Sequence, residues 1–496
     1  MNTTLVKETR ALLPMFGGAL LLIALPFLIW GAKAAEFGVV AFGLGCVVLG
    51  ACSLGNEFQQ RTLSLLLTQP ISRTVLWRDK MVVLGAAIAT SLAVLVVCQR
   101  VCCTVPDREG PAVLALTALC AFCGAPWWTL AHRQTIAGMV STAGVPAVLA
   151  GVCALVTERV FHDEAIVVSS AIIILVLYCP VVYWSGYARF KKLEVFDSPE
   201  RELTLPAGVE AVLARTVAKV SSRFRGPFAS LLKKELRLQQ ISFLLAGLFF
   251  LIAGVGFCLM PLYRPLGEGI LGGGFGFYLV ILPLIAGAIA VAEEKGWDLA
   301  EWHLTLPPSG LQQWSVKMLA TLSTSLTLGL LLPTAMFLVG AVLLGNSDPF
   351  TSPPSVSEIC AWALGQLLLT CVVVYAASFS KSALRAILAA LVIIAAGFGV
   401  IWLMGRFGYE PIRRPLLLPG PYSGQALPQI NLVVPGVCVG LMLMLGIVQF
   451  FAWSNFRRFG LSVRQLAIQL LVLFFVLALV SLAVIVAFFL APGSGT

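Results

Sequence analysis

Apolar residues in this chain arrive in blocks roughly twenty long, parted by short polar stretches. Blocks of that length cross a hydrocarbon core about 30 Å thick as helices. They fall at about 11–31, 37–55, 81–101, 112–131, 135–156 and 165–188, then at 241–261, 270–292, 318–344, 357–379, 384–405 and 431–453, with one more at 465–490. The pattern predicts an all-α fold, a polytopic transmembrane helical bundle of about thirteen spans.

The polar stretches carry the repeat. Glu57–Lys80 (EFQQRTLSLLLTQPISRTVLWRDK) follows the second block, and Glu294–Lys317 (EKGWDLAEWHLTLPPSGLQQWSVK) follows the eighth. Laid over one another without a gap, they match Glu57 with Glu294, Leu67 with Leu304, Pro70 with Pro307, Ser72 with Ser309, Trp77 with Trp314 and Lys80 with Lys317. Each reads as a polar, Pro-broken helical hairpin slung between two spans, at the same place in two halves. Pro70 and Pro307 end one short helix, Ser72 and Ser309 can cap the next, and Trp77 and Trp314 are expected to anchor it at the membrane interface. Phe451–Phe459 echoes Tyr183–Phe190, with Trp184-Ser185 matched by Trp453-Ser454, and closes the repeat. The chain thus divides into a first transmembrane half, 1–190, a linker, 191–240, a second half, 241–460, and an extra C-terminal span within 461–496 that has no counterpart.

Composition agrees. Of 496 residues, 59% are hydrophobic and 11% charged, and the mean hydropathy is +0.96, too little charge to cover a soluble surface of this size. The net charge of +10 gathers where the positive-inside rule puts it. Arg61, Arg73, Arg78 and Lys80 outnumber the acids of the first hairpin, and the linker holds Arg201, Arg215, Lys219, Arg223, Arg225, Lys233, Lys234 and Arg237. Hairpins, linker and the polar segment Met1–Arg10 are therefore expected on the cytoplasmic side of the inner (cytoplasmic) membrane, with the C-terminus outside. Within the linker Val209, Val212, Leu213, Val217 and Val220 fall at helical spacing, and Phe228–Leu238 forms a second amphipathic segment. Lys7 and Arg10 before an apolar block, then Ala32-Lys33-Ala34, imitate a signal peptide, but the block is long enough to span and reads as an uncleaved first span. The Pro- and Gly-rich stretch 406–430 is the candidate for an outer cap.

Few residues invite chemistry. Cys120 and Cys123 spell C-x-x-C inside an apolar block with no second ligand pair, which favours packing over metal or redox work. A disulfide at Cys102 or Cys103 is left open. His132, His162 and His303 are far apart, the acidic pairs Asp163-Glu164 and Glu293-Glu294 sit at span borders, and no G-x-x-x-x-G-K-[ST] phosphate loop occurs. The span interiors are almost free of Asp, Glu, Lys and Arg, the groups an ion-driven transporter needs, so energy for any transport must enter from outside the membrane.

The first hairpin resembles the signature of ABC-2-type transporter permeases, roughly E-x-x-x-G-T-L-x-x-L-L-x-x-P-[VI]-S-R followed by a basic residue. The likeness is carried by Glu57, Thr62, Leu65, Leu66, Pro70, Ser72, Arg73 and Lys80, with Arg61 where the pattern has Gly. The second copy keeps Glu294, Leu304, Pro307, Ser309 and Lys317 but has Trp297, Asp298 and His303 in place of the Thr-Leu-rich run. In that family the segment is a coupling helix that docks on a separate ATP-binding subunit. The resemblance covers both six-span units, not the linker or the last span. It implies a permease with no ATP-binding motif and no cofactor of its own, ATP and Mg being bound by two copies of a partner ATPase. The family favours export; the apolar span interiors favour a hydrophobic or lipid-like substrate (a lipid, a hydrophobic drug or a polymer), and the internal two-fold lets one permease chain suffice. Two other readings stay open: a polytopic membrane enzyme acting on a lipid-linked substrate, with Tyr409–Arg414 as its one candidate cluster, and a structural membrane subunit without a transport path.

Overall fold

The computed structural model describes residues 3–59, 62, 68, 70–102, 110–161, 164–193, 227–262, 264–296, 309–344, 354–380, 382–404, 430–458 and 462–490. Among these the chain is helical without strands, and thirteen helices are long and apolar enough to cross a membrane. The protein is a polytopic membrane protein, and its fold is an all-α bundle.

The first half comprises α1 (Thr3–Trp30), α2 (Ala35–Gln59), α3 (Arg73–Cys102), α4 (Gly110–His132), α5 (Thr135–Phe161) and α6 (Glu164–Lys192). A short amphipathic helix, α7 (Pro227–Leu238), leads into the second half: α8 (Gln240–Leu259), α9 (Arg264–Gly296), α10 (Gly310–Leu326) continued by α11 (Leu332–Leu344), α12 (Val356–Phe379), α13 (Ala383–Met404) and α14 (Ile430–Phe456). The last helix is α15 (Val463–Leu490). Between α10 and α11 the turns at Thr327–Leu331 widen into a π-helix, which turns the carbonyl of Leu328 toward the Tyr278 hydroxyl at 2.9 Å.

Two expectations about the hairpins change. The third span does not begin near residue 81; α3 starts at Arg73, so the arm after Pro70 is continuous with the span. Likewise α1 already runs from Thr3 through the polar segment, with Glu8 buried in the bundle and Lys7, Thr9 and Arg10 exposed. Both extensions have one cause: charged side chains near the helix ends find partners inside. The predicted linker helix around Val209–Val220 lies outside the described residues, whereas that at Phe228–Leu238 is α7.

The halves pack by one scheme. In the first, α2 contacts α1, α3, α4 and α5; in the second, α9 contacts α8, α10, α12 and α13. The match reaches individual atoms. A Cβ built on Gly50 would lie 2.5 Å from that of Ala125 on α4, and one on the equivalent Gly287 would lie 2.9 Å from that of Val373 on α12. Only glycine lets these helices approach so closely.

The halves join reciprocally. Ile136 and Val140, at the start of α5, belong to the core of the second half with Ile241 and Leu245; Leu384 at the start of α13 belongs to the core of the first, with Leu388 packed against it. Thus α5 meets α8, and α13 meets α1. This is the isologous contact expected of an internal two-fold. The α5–α8 seam is interlocked through Gly144 and Gly151, over which Leu248 and Val255 fit.

The extra helix α15 breaks the scheme. In the first half α5 and α6 pack on each other, but in the second α15 packs against both α13 and α14.

Candidate functional site

The charged residues of the hairpins meet where α1, α2 and α3 converge. Lys80 is buried, and its Nζ donates to Glu8 Oε2 at 2.7 Å, to the Ser53 carbonyl at 3.1 Å and to Glu57 Oε1 at 3.4 Å. Glu57 also accepts from the Thr62 hydroxyl and lies 3.7 Å from Lys7 Nζ, so its charge has two cations and a hydroxyl around it. Beside this cluster the Thr4 hydroxyl donates to Asp79 at 2.6 Å. Burial of this kind is tolerated only when every charge is paired.

The second half repeats the arrangement. Lys317 is buried, and its Nζ donates to Glu235 Oε1 at 2.8 Å and to the Ala290 carbonyl at 3.2 Å. The register that matches Lys80 with Lys317 also matches Ser53 with Ala290. Glu8 and Glu235 were missed in the sequence, although the signal is there: each sits in K-E-x-R just before the first span of its half, at Lys7–Arg10 and Lys234–Arg237. The structure thus brings together Glu57, Thr62 and Lys80 from the first signature, and it ties the root of each described third span to the lead helix of its own half.

The tryptophans take a different place from the one expected. Trp77 and Trp314 do not anchor at the membrane interface; both are buried in the bundle, 3% and 8% exposed. Trp77 packs on Tyr183, Tyr187 and Phe190 of α6, with ring centroids 5.9, 6.1 and 5.4 Å away, and Trp314 lies 5.3 Å from Phe456 of α14. The sixth span supplies an aromatic wall that outcompetes the headgroup region for the indole. Arg73 adds a bond to the Lys191 carbonyl at the end of α6. Each third span is therefore held by an ion pair toward α1 in the first half and α7 in the second, and by aromatic contact toward the sixth span.

Other site residues are placed more simply. Ser309 caps α10 through a capping box with Gln312, as its spacing implies, whereas the Ser72 hydroxyl pairs with that of Thr74 at 3.1 Å. Pro70 is exposed. Leu65, Leu66, Leu304 and Pro307, and the side chain of Glu294, lie outside the described residues. The C-x-x-C cysteines pack with Cys179 of α6, Cys120 Sγ lying 3.8 Å from its Sγ, in a small cluster with Val182.

Near the second hairpin, Lys295 at the end of α9 donates to the Ser378 carbonyl, and burial pushes its pKa down to about 8. Ser378 begins a chain of amides: its hydroxyl accepts from Asn455 Nδ2 at 3.1 Å, Asn455 and Gln469 exchange two bonds at 2.8 and 3.1 Å, and the Tyr375 hydroxyl donates to Gln469 Oε1 at 3.1 Å. Gln469 lies on α15, so the extra span is fastened to α12 and α14 by polar groups buried in the bundle.

Between the halves runs a cavity of about 630 Å³, lined by α1, α2, α5, α6 and Val113 of α4 in the first half and by α8, α9 and α13 of the second. Among the described residues its lining side chains are hydrocarbon or thioether apart from the phenol of Tyr278, whose hydroxyl is committed to Leu328 and whose ring stacks on Phe249 at 4.0 Å. The lining residues Val113, Val168 and Ile172 are exposed at the bundle surface, so the cavity opens toward the surrounding membrane.

Compared with known proteins, the chain matches no protein-family model, no curated protein and no solved structure.

Proposed function

We propose that the chain is the membrane permease subunit of an ABC transporter, working as an exporter with two copies of a separate ATPase that bind ATP and Mg. In this reading the ATPases dock on the two hairpins, the N-terminus, hairpins and linker face the cytoplasm, and the protein resides in the cell inner membrane. Closing of the ATPases moves the hairpins, and the third spans pass that movement to α1 in the first half, to α7 in the second and to the sixth span of each. A hydrophobic or lipid-like substrate then crosses between the halves. Because the two-fold is internal, no second permease chain is required.

One observation carries the reading. The hairpin signature is joined to the bundle by matched buried links, Lys80–Glu8 and Lys317–Glu235, at equivalent places in both halves. An ordinary interfacial loop has no need of two buried ion pairs at its root; a lever does.

The test is to express the chain with the ATPase encoded beside it and to measure co-purification and ATPase activity, for the native chain and for the double replacement Leu65→Asp/Leu66→Asp. The transporter reading expects a complex with the native chain and its loss in the variant, with the membrane part still folded. If no ATPase binds the native chain, the coupling assignment fails and the membrane-enzyme reading takes its place.

A further inference from the structure

We infer that the cavity between the halves receives the hydrocarbon chains of a membrane lipid and leaves the headgroup outside. Calling that lipid the cargo rests on the transporter reading above; the binding itself does not.

The chemistry of the walls selects the occupant. Among the described residues Tyr278 is the one lining side chain with a nitrogen or oxygen, and its hydroxyl is already bonded. A phosphate, sugar or amine placed inside would lose its water and gain nothing in return. Water itself does not stay in an apolar space without polar partners. What remains at this depth of a bilayer is hydrocarbon.

The shape narrows it further. Along α5 the lining runs from Met139 to Ala154, ~22 Å at the helical rise of 1.5 Å per residue, so the cavity is long for its 630 Å³. Small residues keep the slot open: Ala143 and Ala147 on one wall, Gly269 and Gly273 on the other. Over Gly269 and Gly273 a Cβ would meet nothing within 4 Å. A long, narrow, apolar slot accepts an extended chain and not a compact polar solute.

Those glycines also supply the test, because Gly273 lines the cavity and a Cβ added there meets no protein atom within 4 Å. The full chain would be placed in lipid nanodiscs with a phospholipid bearing a photoreactive diazirine at mid-chain, or the same lipid bearing it on the headgroup, and adducts mapped after irradiation. The mid-chain probe is expected to label the α5 and α9 walls, and the headgroup probe is expected to spare them. Gly273→Trp on one wall and Ala147→Trp on the other should each cut wall labelling about tenfold, as if about two methylenes were denied burial. Labelling of lipid-facing Val176 and Leu177 on α6 should persist, and an unchanged elution profile shows that the variant is folded. Mid-chain adducts confined to such outer faces would overturn the inference, and so would wall labelling by the headgroup probe. Wall labelling by a chain that binds no ATPase would remove the cargo role and leave the lipid site standing.

Discussion

Replacing Lys80 by methionine removes the cation at the centre of the first hairpin's root and leaves the two largely buried carboxylates of Glu8 and Glu57 without it. At an effective dielectric of ~20, unit charges separated by 2.7 and 3.4 Å attract by about 6 and about 5 kcal/mol for Glu8 and Glu57. Most of that offsets the withdrawal of three charged groups from water, and the Lys80 side chain is only 1% exposed. Deleting one member of a buried pair strands the other, at a cost of about 3–5 kcal/mol. Thermal unfolding of the detergent-solubilised chain, followed by size-exclusion fluorescence at a fixed heating rate, would read this as a midpoint lower by about 6–10 °C, taking about 2 °C per kcal/mol. The decisive comparison is the double variant Lys80→Met/Glu8→Gln. Glu57 then keeps Lys7 at 3.7 Å and the Thr62 hydroxyl, no unpaired carboxylate remains, and at least half of the loss should return. A midpoint within about 1 °C of the native chain for Lys80→Met, or strictly additive costs in the double variant, would refute a paired buried cluster.

The glycine contacts make a second prediction: Gly50→Ala and Gly287→Ala force a Cβ to 2.5 and 2.9 Å from its nearest neighbour, whereas Gly276→Ala meets nothing within 4 Å. The first two should each cost about 1–3 kcal/mol in the same melting assay and the third less than about 1. Gln469→Leu leaves Asn455 and the Tyr375 hydroxyl short of a partner, which should cost about 1–2 kcal/mol and loosen α15, read as faster proteolysis near the turn before it. Lys295 has a folded pKa of about 8, below its unfolded value of 10.5, so the unfolded chain binds more protons between those values. Its burial penalty is fully present below pH 8 and fades as pH rises toward 10.5. Stability should therefore climb over that window by on the order of 2 kcal/mol after allowance for partial exposure, a rise that Lys295→Met should abolish.

Much of the architecture could be read along the chain because burial in a membrane leaves a one-dimensional record. Each span needs an apolar block of fixed length, so the number and order of helices followed from hydropathy, and the gapless match of two polar stretches disclosed the halves. What the sequence hid lies at the ends of the spans. Lys80 and Asp79 look like solvated charges at a membrane border, and only the approach of α1 and α2 turns them inward. Trp77 has the composition of an interface anchor, and its true environment depends on Tyr183, Tyr187 and Phe190, more than a hundred residues away. Glu8 and Glu235 were legible in principle, since both sit in K-E-x-R, but nothing local distinguishes an acid that will pair inside the bundle from one that will stay wet.

The same division explains why the two halves are alike but not equal. The reciprocal seam requires only that Ile136 and Leu384 enter opposite cores, and both halves satisfy it. The sixth spans part company: α6 packs directly on α5 and lines the central cavity, while in the second half α15 packs on both α13 and α14 and is bolted there by Gln469. An amide network buried in apolar surroundings resists sliding, because every bond broken strands a polar group. The second half thus carries an amide brace on its extra helix, whereas α5 and α6 of the first are joined by the Thr157 and Ser170 hydroxyls at 2.9 Å.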